Sequence, residues 1–314
     1  NAPEMTTNGS RATLVFNGIP VEYGEGEAAN VSIDDLPSSS NVVESNVNAE
    51  ITGSGQQTVS LDKSVGVSAV VVNGDSVTKL EVTQQVTLVG SADGDKELIQ
   101  FSGSGEKQVT LTAAGSSLTL GQEGSTANAG KISVALTVQN QTSLTVKEGS
   151  YTLSDVTAST GGKIEVSNGN VAVDKLTLDG GNLTAENGQL TAQTMTLGKS
   201  SVISLGDAIT QIATLVIDAI QDAVHTITGE MKTDSLQVKE GASSFIRIGT
   251  STAQGDQENK AGRLEIAKNF IMKGLTFFLD PVYQNGTIAD ASKLSVASTS
   301  IDGKIAVGEN SYAV

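Results

Sequence analysis

The chain of 314 residues contains no cysteine, no tryptophan and a single histidine, His225. Without cysteine it has no disulfide framework, no thiolate nucleophile and no cysteine-ligated zinc. One histidine excludes a multi-histidine metal centre and argues against a Ser–His–Asp relay. The motifs G-x-x-x-x-G-K-[ST], G-x-S-x-G and H-E-x-x-H are also missing. These absences favour a protein without enzymatic activity.

Basic residues are scarce as well. The chain has 19 Lys and Arg against 35 Asp and Glu, which gives a formal net charge of -16. Phosphate backbones and anionic lipid surfaces are bound by basic faces, so we expect neither a nucleic-acid partner nor a polybasic membrane contact. No apolar run is long enough to span a bilayer, so we expect no membrane-spanning segment.

Aromatic residues make up 3% of the chain, whereas glycine occurs 34 times. A core without large rings must be thin and built from Val, Leu, Ile and Ala. Short segments in which apolar and polar residues alternate are typical of half-buried strands, and the Gly, Asn or Asp that follows each one tolerates the positive φ of a tight corner. We predict strands at 12–16, 19–23, 77–82, 86–90, 109–112, 118–121, 132–138, 144–150, 163–169, 175–181, 182–188, 194–200, 236–241, 264–269 and 304–310.

The predicted strands recur at a fixed spacing. LTV at 144, IEV at 164 and LTA at 183 are 20 and 19 residues apart, and LTL at 176 and MTL at 195 are also 19 apart. One period shared by two interleaved series indicates stacked repeats, whereas the strands of a β-sandwich have no reason to repeat in register. We therefore predict an all-β fold, a parallel β-helix (β-solenoid) of about ten to thirteen coils and roughly 50–60 Å in length.

One segment departs from the period of two. Within 207–227, apolar residues from Ile209 to Ile227 follow steps of three and four. This spacing predicts a short helical insertion that covers one side of the rod. The many β-branched residues leave a strand pair as the alternative.

Composition divides the chain into four parts. The first is acidic and irregular, since no basic residue lies between Arg11 and Lys63, and we expect it to form a cap or an assembly strand. The parts are an N-terminal segment at 1–50, β-solenoid repeats at 51–205, a helical insertion at 206–229, and C-terminal solenoid coils with an aromatic cluster at 230–314.

A possible calcium site lies in a glycine-containing loop. Asp93, Asp95 and Glu97 place three carboxylates at alternating positions, which resembles the start of an oxygen-ligand loop. The later bidentate glutamate of such a loop is missing, so an exposed turn is the alternative. Calcium is the only cofactor that the sequence suggests.

The aromatic residues collect near the C-terminus. Phe270, Phe277, Phe278 and Tyr283 lie within fourteen residues of one another. Such a cluster forms either an exposed binding patch or a wider core and end cap.

Two stretches resemble the passenger repeats of large bacterial autotransporter surface proteins. They are SLTVKEGSYTLSDVTASTGGKIEVSNGNVAVDKLTLDGGNLTAENGQLTAQTMTLGKSS (143–201) and the block that begins with FFLDPVYQNGTIADASKLSV and closes with IDGKIAVGENSYAV (277–314), together about a third of the chain. The resemblance is to a degenerate repeat style. It implies a right-handed parallel β-helix at the cell surface with adhesive or matrix-forming roles.

We therefore expect a non-enzymatic bacterial extracellular structural protein, an adhesin or a self-assembling fibre subunit. Its expected partners are further copies of itself, through head-to-tail stacking or strand addition, or ligands on host and matrix surfaces. The alternative is a β-helix protein that binds or degrades polysaccharides.

Overall fold

The structure is a computed structural model. It describes residues 5–8, 11–16, 19–24, 28–92, 94–125, 128–219, 223–250, 260–270, 275–279, 281–284, 287–296 and 304–305.

The described residues form thirty strands, one 3-10 turn (Ile33–Asp35) and no α-helix. The strands are β1 Met5–Asn8, β2 Arg11–Phe16, β3 Ile19–Gly24, β4 Ala29–Ser32, β5 Ser39–Thr52, β6 Thr58–Leu61, β7 Val65–Asn73, β8 Lys79–Val82, β9 Gln85–Leu88, β10 Ile99–Phe101, β11 Gln108–Leu111, β12 Ser117–Leu120, β13 Ala129–Ile132, β14 Ala135–Val138, β15 Ser143–Val146, β16 Ser150–Ser159, β17 Lys163–Val166, β18 Asn170–Asp179, β19 Asn182–Ala185, β20 Gln189–Leu197, β21 Ser201–Leu205, β22 Ile209–Ile217, β23 Ala223–Val238, β24 Ser244–Ile248, β25 Gly262–Phe270, β26 Leu275–Leu279, β27 Pro281–Gln284, β28 Thr287–Ala291, β29 Lys293–Val296 and β30 Lys304–Ile305.

From β4 onward nearly all pairing among the described residues is parallel, and most coils contribute a strand to each of three faces. Face 1 comprises the first parts of β5, β7 and β23 together with β9, β12, β15, β17, β19, β21, β24, β26 and β30. Face 2 comprises β4, the second parts of β5 and β7, β10, β13, the first halves of β16, β18, β20 and β22, the middle of β23, the start of β25, and β29. Face 3 comprises β6, β8, β11, β14, the second halves of β16, β18, β20 and β22, and the end of β23.

This arrangement is the predicted parallel β-helix, and its register follows the sequence period. Leu144 pairs with Ile164, and Ile164 with Leu183, at the offsets of 20 and 19 residues seen in the sequence. Longer connections elsewhere stretch the offset, for example to 32 residues between Val86 and Leu118. The described residues give face 1 twelve rungs, and eleven steps of about 4.8 Å correspond to a length of about 53 Å.

The core is a set of aliphatic columns that run along the rod. On face 1, Leu118, Leu144, Ile164 and Leu183 stack in register and are between 0% and 4% exposed. Each buried side chain of this kind contributes about 1.5–3 kcal/mol. The residues between them point outward. Because the inward aliphatic side chains stack in register from coil to coil, a chain with few aromatic residues still builds a continuous core.

The corner between faces 2 and 3 lies inside a single long strand. In β16 the inward residues Leu153 and Val156 are three positions apart, because two consecutive residues, Ser154 and Asp155, point outward. The neighbouring coils skip the same position in their pairing, so the bend is repeated from coil to coil.

The corner from face 3 back to face 1 depends on paired glycines. Gly180 has a φ of +86°, which residues with a side chain rarely adopt. At Gly181 an added Cβ would lie 2.4 Å from the Ala158 Cβ and 2.6 Å from the Ala158 carbonyl oxygen. The coil below therefore approaches too closely for any other residue.

The helical insertion predicted at 206–229 is wrong. Ile209–Ile217 is strand β22, and β23 begins at Ala223. The segment is an ordinary coil that pairs in parallel with its neighbours on faces 1, 2 and 3. The alternative of a strand pair is the correct one.

The N-terminal segment joins the rod in two ways. Strands β1, β2 and β3 form a separate antiparallel sheet, whereas β4 and β5 already belong to the parallel stack. The Lys63 ammonium donates hydrogen bonds to the carbonyl oxygens of Ile33 (3.0 Å) and Asp34 (2.9 Å). The first basic residue after Arg11 thus anchors the acidic turn to the next coil.

Candidate functional site

Outward side chains on face 3 pair with one another between successive coils. The Lys175 ammonium lies 3.4 Å from the Asp155 carboxylate, and that of Lys199 lies 3.0 Å from Asp179. Both pairs are largely exposed, so each contributes at most about 1 kcal/mol. The Asp155 and Asp179 carboxylates are thus each paired with a lysine of a neighbouring coil.

The three predicted calcium ligands, Asp93, Asp95 and Glu97, are not seen together in one site. Asp93 lies outside the described residues, and Asp95 is exposed. Both oxygens of the Glu97 carboxylate accept hydrogen bonds from Ser133, one from the backbone N–H (2.8 Å) and one from the hydroxyl (2.7 Å). Within the described ranges no group of three His, Cys, Asp or Glu side chains is placed to hold a metal. Glu97 thus joins two coils.

The aromatic patch predicted near the C-terminus is corrected at one position. Phe277 is 0% exposed and points into the core, where it pairs with Ile246 of the coil below. Phe278 points outward and is half-buried. The side chains of Phe270 and Tyr283 lie outside the described residues.

A small apolar area does occur on the outside of face 1. The rings of Phe245 and Phe278 are 5.8 Å apart at an interplanar angle of 31°. Val224, which pairs with Phe245 on the adjacent rung, is 39% exposed, and Val202 is 48% exposed. Arg247 is paired with Phe278 in the same area and is exposed.

The single histidine is buried inside the rod. His225 is 0% exposed, and neither ring nitrogen has a hydrogen-bond partner among the described residues. Burial lowers the pKa of His225 from 6.5 to about 4, because the charged imidazolium would lose its hydration. A neutral, unpartnered imidazole in the core serves packing and is placed for no acid–base reaction.

A concave surface lies on face 2 in the described part of the chain. This surface, which we call the face 2 groove, has a volume of about 570 Å³ and crosses four coils. Its floor is formed by residues that point outward from β16, β18 and β20, and one wall is the segment that contains Gly94 and Asp95. The lining residues are Ala92, Gly94, Asp95, Asn128, Ala129, Gly130, Gly149, Ser150, Tyr151, Thr152, Asn170, Val171, Ala172, Gln189 and Thr191.

Backbone and side-chain contacts hold the groove in shape. The Asn128 side chain donates to the carbonyl oxygens of Gln122 (2.6 Å) and Ser125 (3.1 Å) and accepts from the Gln122 N–H (2.9 Å). Beneath the floor, the buried Tyr151 hydroxyl donates to the Val89 carbonyl oxygen at 3.2 Å. Burial, with a smaller contribution from Glu148, raises the pKa of Tyr151, so it stays a neutral donor.

A second groove, of about 300 Å³, lies on face 1 beside the start of β5. Its polar groups are partly occupied by the chain itself. The Gln122 side chain donates to the Asn41 carbonyl oxygen at 3.2 Å, and the Ser40 hydroxyl donates to Gln85 at 3.5 Å. This groove is therefore less available to a ligand than the face 2 groove.

The face 2 groove was not predicted, although the sequence contains a signal for it. The outward positions of β16, β18 and β20 that form its floor are Ser150, Thr152, Asn170, Ala172, Gln189 and Thr191. None of them carries a charge, whereas the second halves of β16 and β18, on face 3, carry Asp155 and Lys175.

Comparison of the chain with protein-family models, with curated proteins and with solved structures finds no match. Among the described residues there is also no helix that is long and apolar enough to cross a membrane.

Proposed function

We propose that the protein is a non-enzymatic structural subunit of a bacterial extracellular surface, a rod that assembles end to end or presents an adhesive surface. The observation that supports assembly is that the first strands of the stack have an unpaired edge. In the described part of the chain, β4 pairs only with β5, and β6 only with β8. An open strand edge is a template for a further parallel strand.

The lateral faces offer fewer such templates. In the described part of the chain most rungs between the two ends pair above and below, with β10, which pairs as a strand only with β7, as an exception, so most backbone groups of the faces are satisfied within the rod. Open strand edges are therefore concentrated at the ends, and repetition of one end-to-end contact builds a filament.

The proposal is tested by electron microscopy and sedimentation of the purified chain over a range of concentrations. We expect filaments or ordered polymers that shorten in the variant Ser60→Lys, which places a charge on the exposed side of β6. The matched control is Gln193→Lys, which adds the same charge at an exposed corner in the middle of the rod. A chain that stays monomeric under all conditions, or polymers that respond equally to both variants, would contradict end-to-end assembly.

A further inference from the structure

The floor of the face 2 groove carries polar side chains in two parallel columns. Ser150 pairs with Asn170, and Asn170 with Gln189, while Thr152, Ala172 and Thr191 form the second column. Successive rungs are about 4.8 Å apart, so the floor presents a regular set of hydroxyl and amide groups along the rod axis.

These groups have no hydrogen-bond partners among the described residues. Within the described residues, the side chains of Ser150, Thr152, Asn170, Gln189 and Thr191 form no hydrogen bond. On face 3 of the same coils the outward residues Lys175 and Asp155 are paired instead. The groove thus offers donors and acceptors that are free to bind another molecule.

The charge of the groove restricts the ligand. The only ionisable group among the lining residues besides the buried Tyr151 is Asp95, and the whole chain has a net charge of -16. An anionic polymer would be repelled, and a cation would find a single exposed carboxylate. Neutral hydroxyl-rich molecules match the amide and hydroxyl groups of the floor.

The apolar elements beside the polar columns also suit such a ligand. Ala172 leaves a shallow notch between Thr152 and Thr191, and Ile209, which follows Gln189 in the first column, is 64% exposed. Sugar rings combine hydroxyl edges with C–H faces; the polar columns of the groove are interrupted by Ala172, and the first column continues beyond the groove to Ile209. An extended peptide would seek the free backbone groups of a strand edge, but the floor is the face of a fully paired sheet.

From this geometry we infer that the face 2 groove is a binding site for a neutral oligosaccharide chain that lies along the rod and is held by Asn170, Gln189 and the hydroxyl groups beside them. The site gives the rod a specific ligand and does not depend on end-to-end assembly. We infer binding without hydrolysis, because the described lining residues include one carboxylate, Asp95, and glycoside cleavage uses two.

The test is calorimetric titration of the intact chain with neutral gluco-, galacto-, manno- and N-acetylglucosamine oligosaccharides, with oligogalacturonate as the acidic comparison and an extended uncharged peptide as a third probe. We expect at least one neutral oligosaccharide to bind. The double variant Asn170→Ala/Gln189→Ala should weaken it about tenfold, because it removes two amide groups that bind directly.

Two further variants separate binding from folding. Ala172→Arg fills the notch and should abolish binding while the circular dichroism spectrum stays unchanged, because Ala172 is exposed. Gln193→Ala/Gln237→Ala removes two exposed amides outside the groove and should leave the affinity unchanged. The inference is overturned if no neutral oligosaccharide binds, if only the acidic oligomer or the peptide binds, or if binding survives both groove variants. Such failures would leave the filament experiment unaffected.

Discussion

The buried imidazole of His225 makes folding sensitive to acid. In the unfolded chain this group has a pKa of 6.5, whereas burial lowers its pKa to about 4 in the folded rod. Below pH 6.5 the imidazole of His225 is protonated in the unfolded chain but stays neutral in the folded chain. The stability that depends on the neutral ring is therefore fully present above pH 6.5 and is lost as the pH falls towards 4.

The size of the effect follows from the shift. A difference of one pKa unit corresponds to about 1.4 kcal/mol, so the loss between pH 6.5 and pH 4 amounts to about 3 kcal/mol. The comparison variant is His225→Leu, which replaces the imidazole by an apolar side chain of similar size that does not titrate. Because the carboxylates titrate equally in both proteins, the difference between their unfolding free energies isolates the histidine.

Two assays measure this directly. Urea unfolding of both proteins is measured from pH 7.5 to pH 4. Over this range the unfolding free energy of the wild-type chain should fall by about 3 kcal/mol more than that of His225→Leu. Since the chain has one histidine, its ring resonance in the folded protein can be followed by NMR without assignment of others. A titration midpoint near 6.5 in the folded state, or a free-energy difference that stays constant with pH, would refute the reasoning.

Five further substitutions, in three tests, probe the packing, and each is read from the free energy of unfolding in urea. Leu144→Ala should lower the free energy of unfolding by about 3 kcal/mol, because Leu144 is 0% exposed in a continuous column. The outward Thr119→Ala should lower it by less than about 0.5 kcal/mol. Equal losses would contradict the assignment of inward and outward residues. Gly181→Ala should lower the free energy of unfolding by about 2 kcal/mol or more, because the added Cβ clashes with the coil below. Gly241→Ala should lower it by only about 1 kcal/mol, since Gly241 has a φ of +77° but open space around it. The reverse order would contradict the close approach of the coils at Gly181. Phe277→Ala should cost about 3–5 kcal/mol, and a neutral result would return Phe277 to an exposed patch.

The register of the rod was predictable because two periods coincide in the sequence. Alternation fixed which residues point inward, and the recurrence of about twenty residues fixed which strands stack, as the pairing of Leu144, Ile164 and Leu183 shows. Both signals are local and need no long-range information.

The error at 207–227 has a definite physical cause. The corner between faces 2 and 3 adds an outward residue, so the inward residues Ile212 and Leu215 are three positions apart. A step of three beside a step of two resembles the spacing of a helix. The same step occurs at Leu153 and Val156 in the repeats, and it is therefore a sign of the corner.

The candidate sites were less predictable because they depend on contacts between distant residues. Glu97 was proposed as a calcium ligand, but its partner Ser133 lies 36 residues further along and meets it only when two coils stack. The wall of the face 2 groove comes from the segment around Asp95, whereas its floor comes from β16, β18 and β20. No local pattern specifies that approach.

The parallel stack underlies both proposals, and an engineered disulfide tests it most directly. The chain has no cysteine, so the pair Thr157→Cys/Thr177→Cys introduces the only two thiols. These residues are in register on adjacent rungs, at a spacing of about 4.8 Å that a disulfide can bridge. We predict rapid intramolecular oxidation of this pair and none for Thr157→Cys/Thr196→Cys, whose residues are two rungs apart. Failure of the first pair to close in the folded protein, or equal closure of both pairs, would contradict the parallel β-helix.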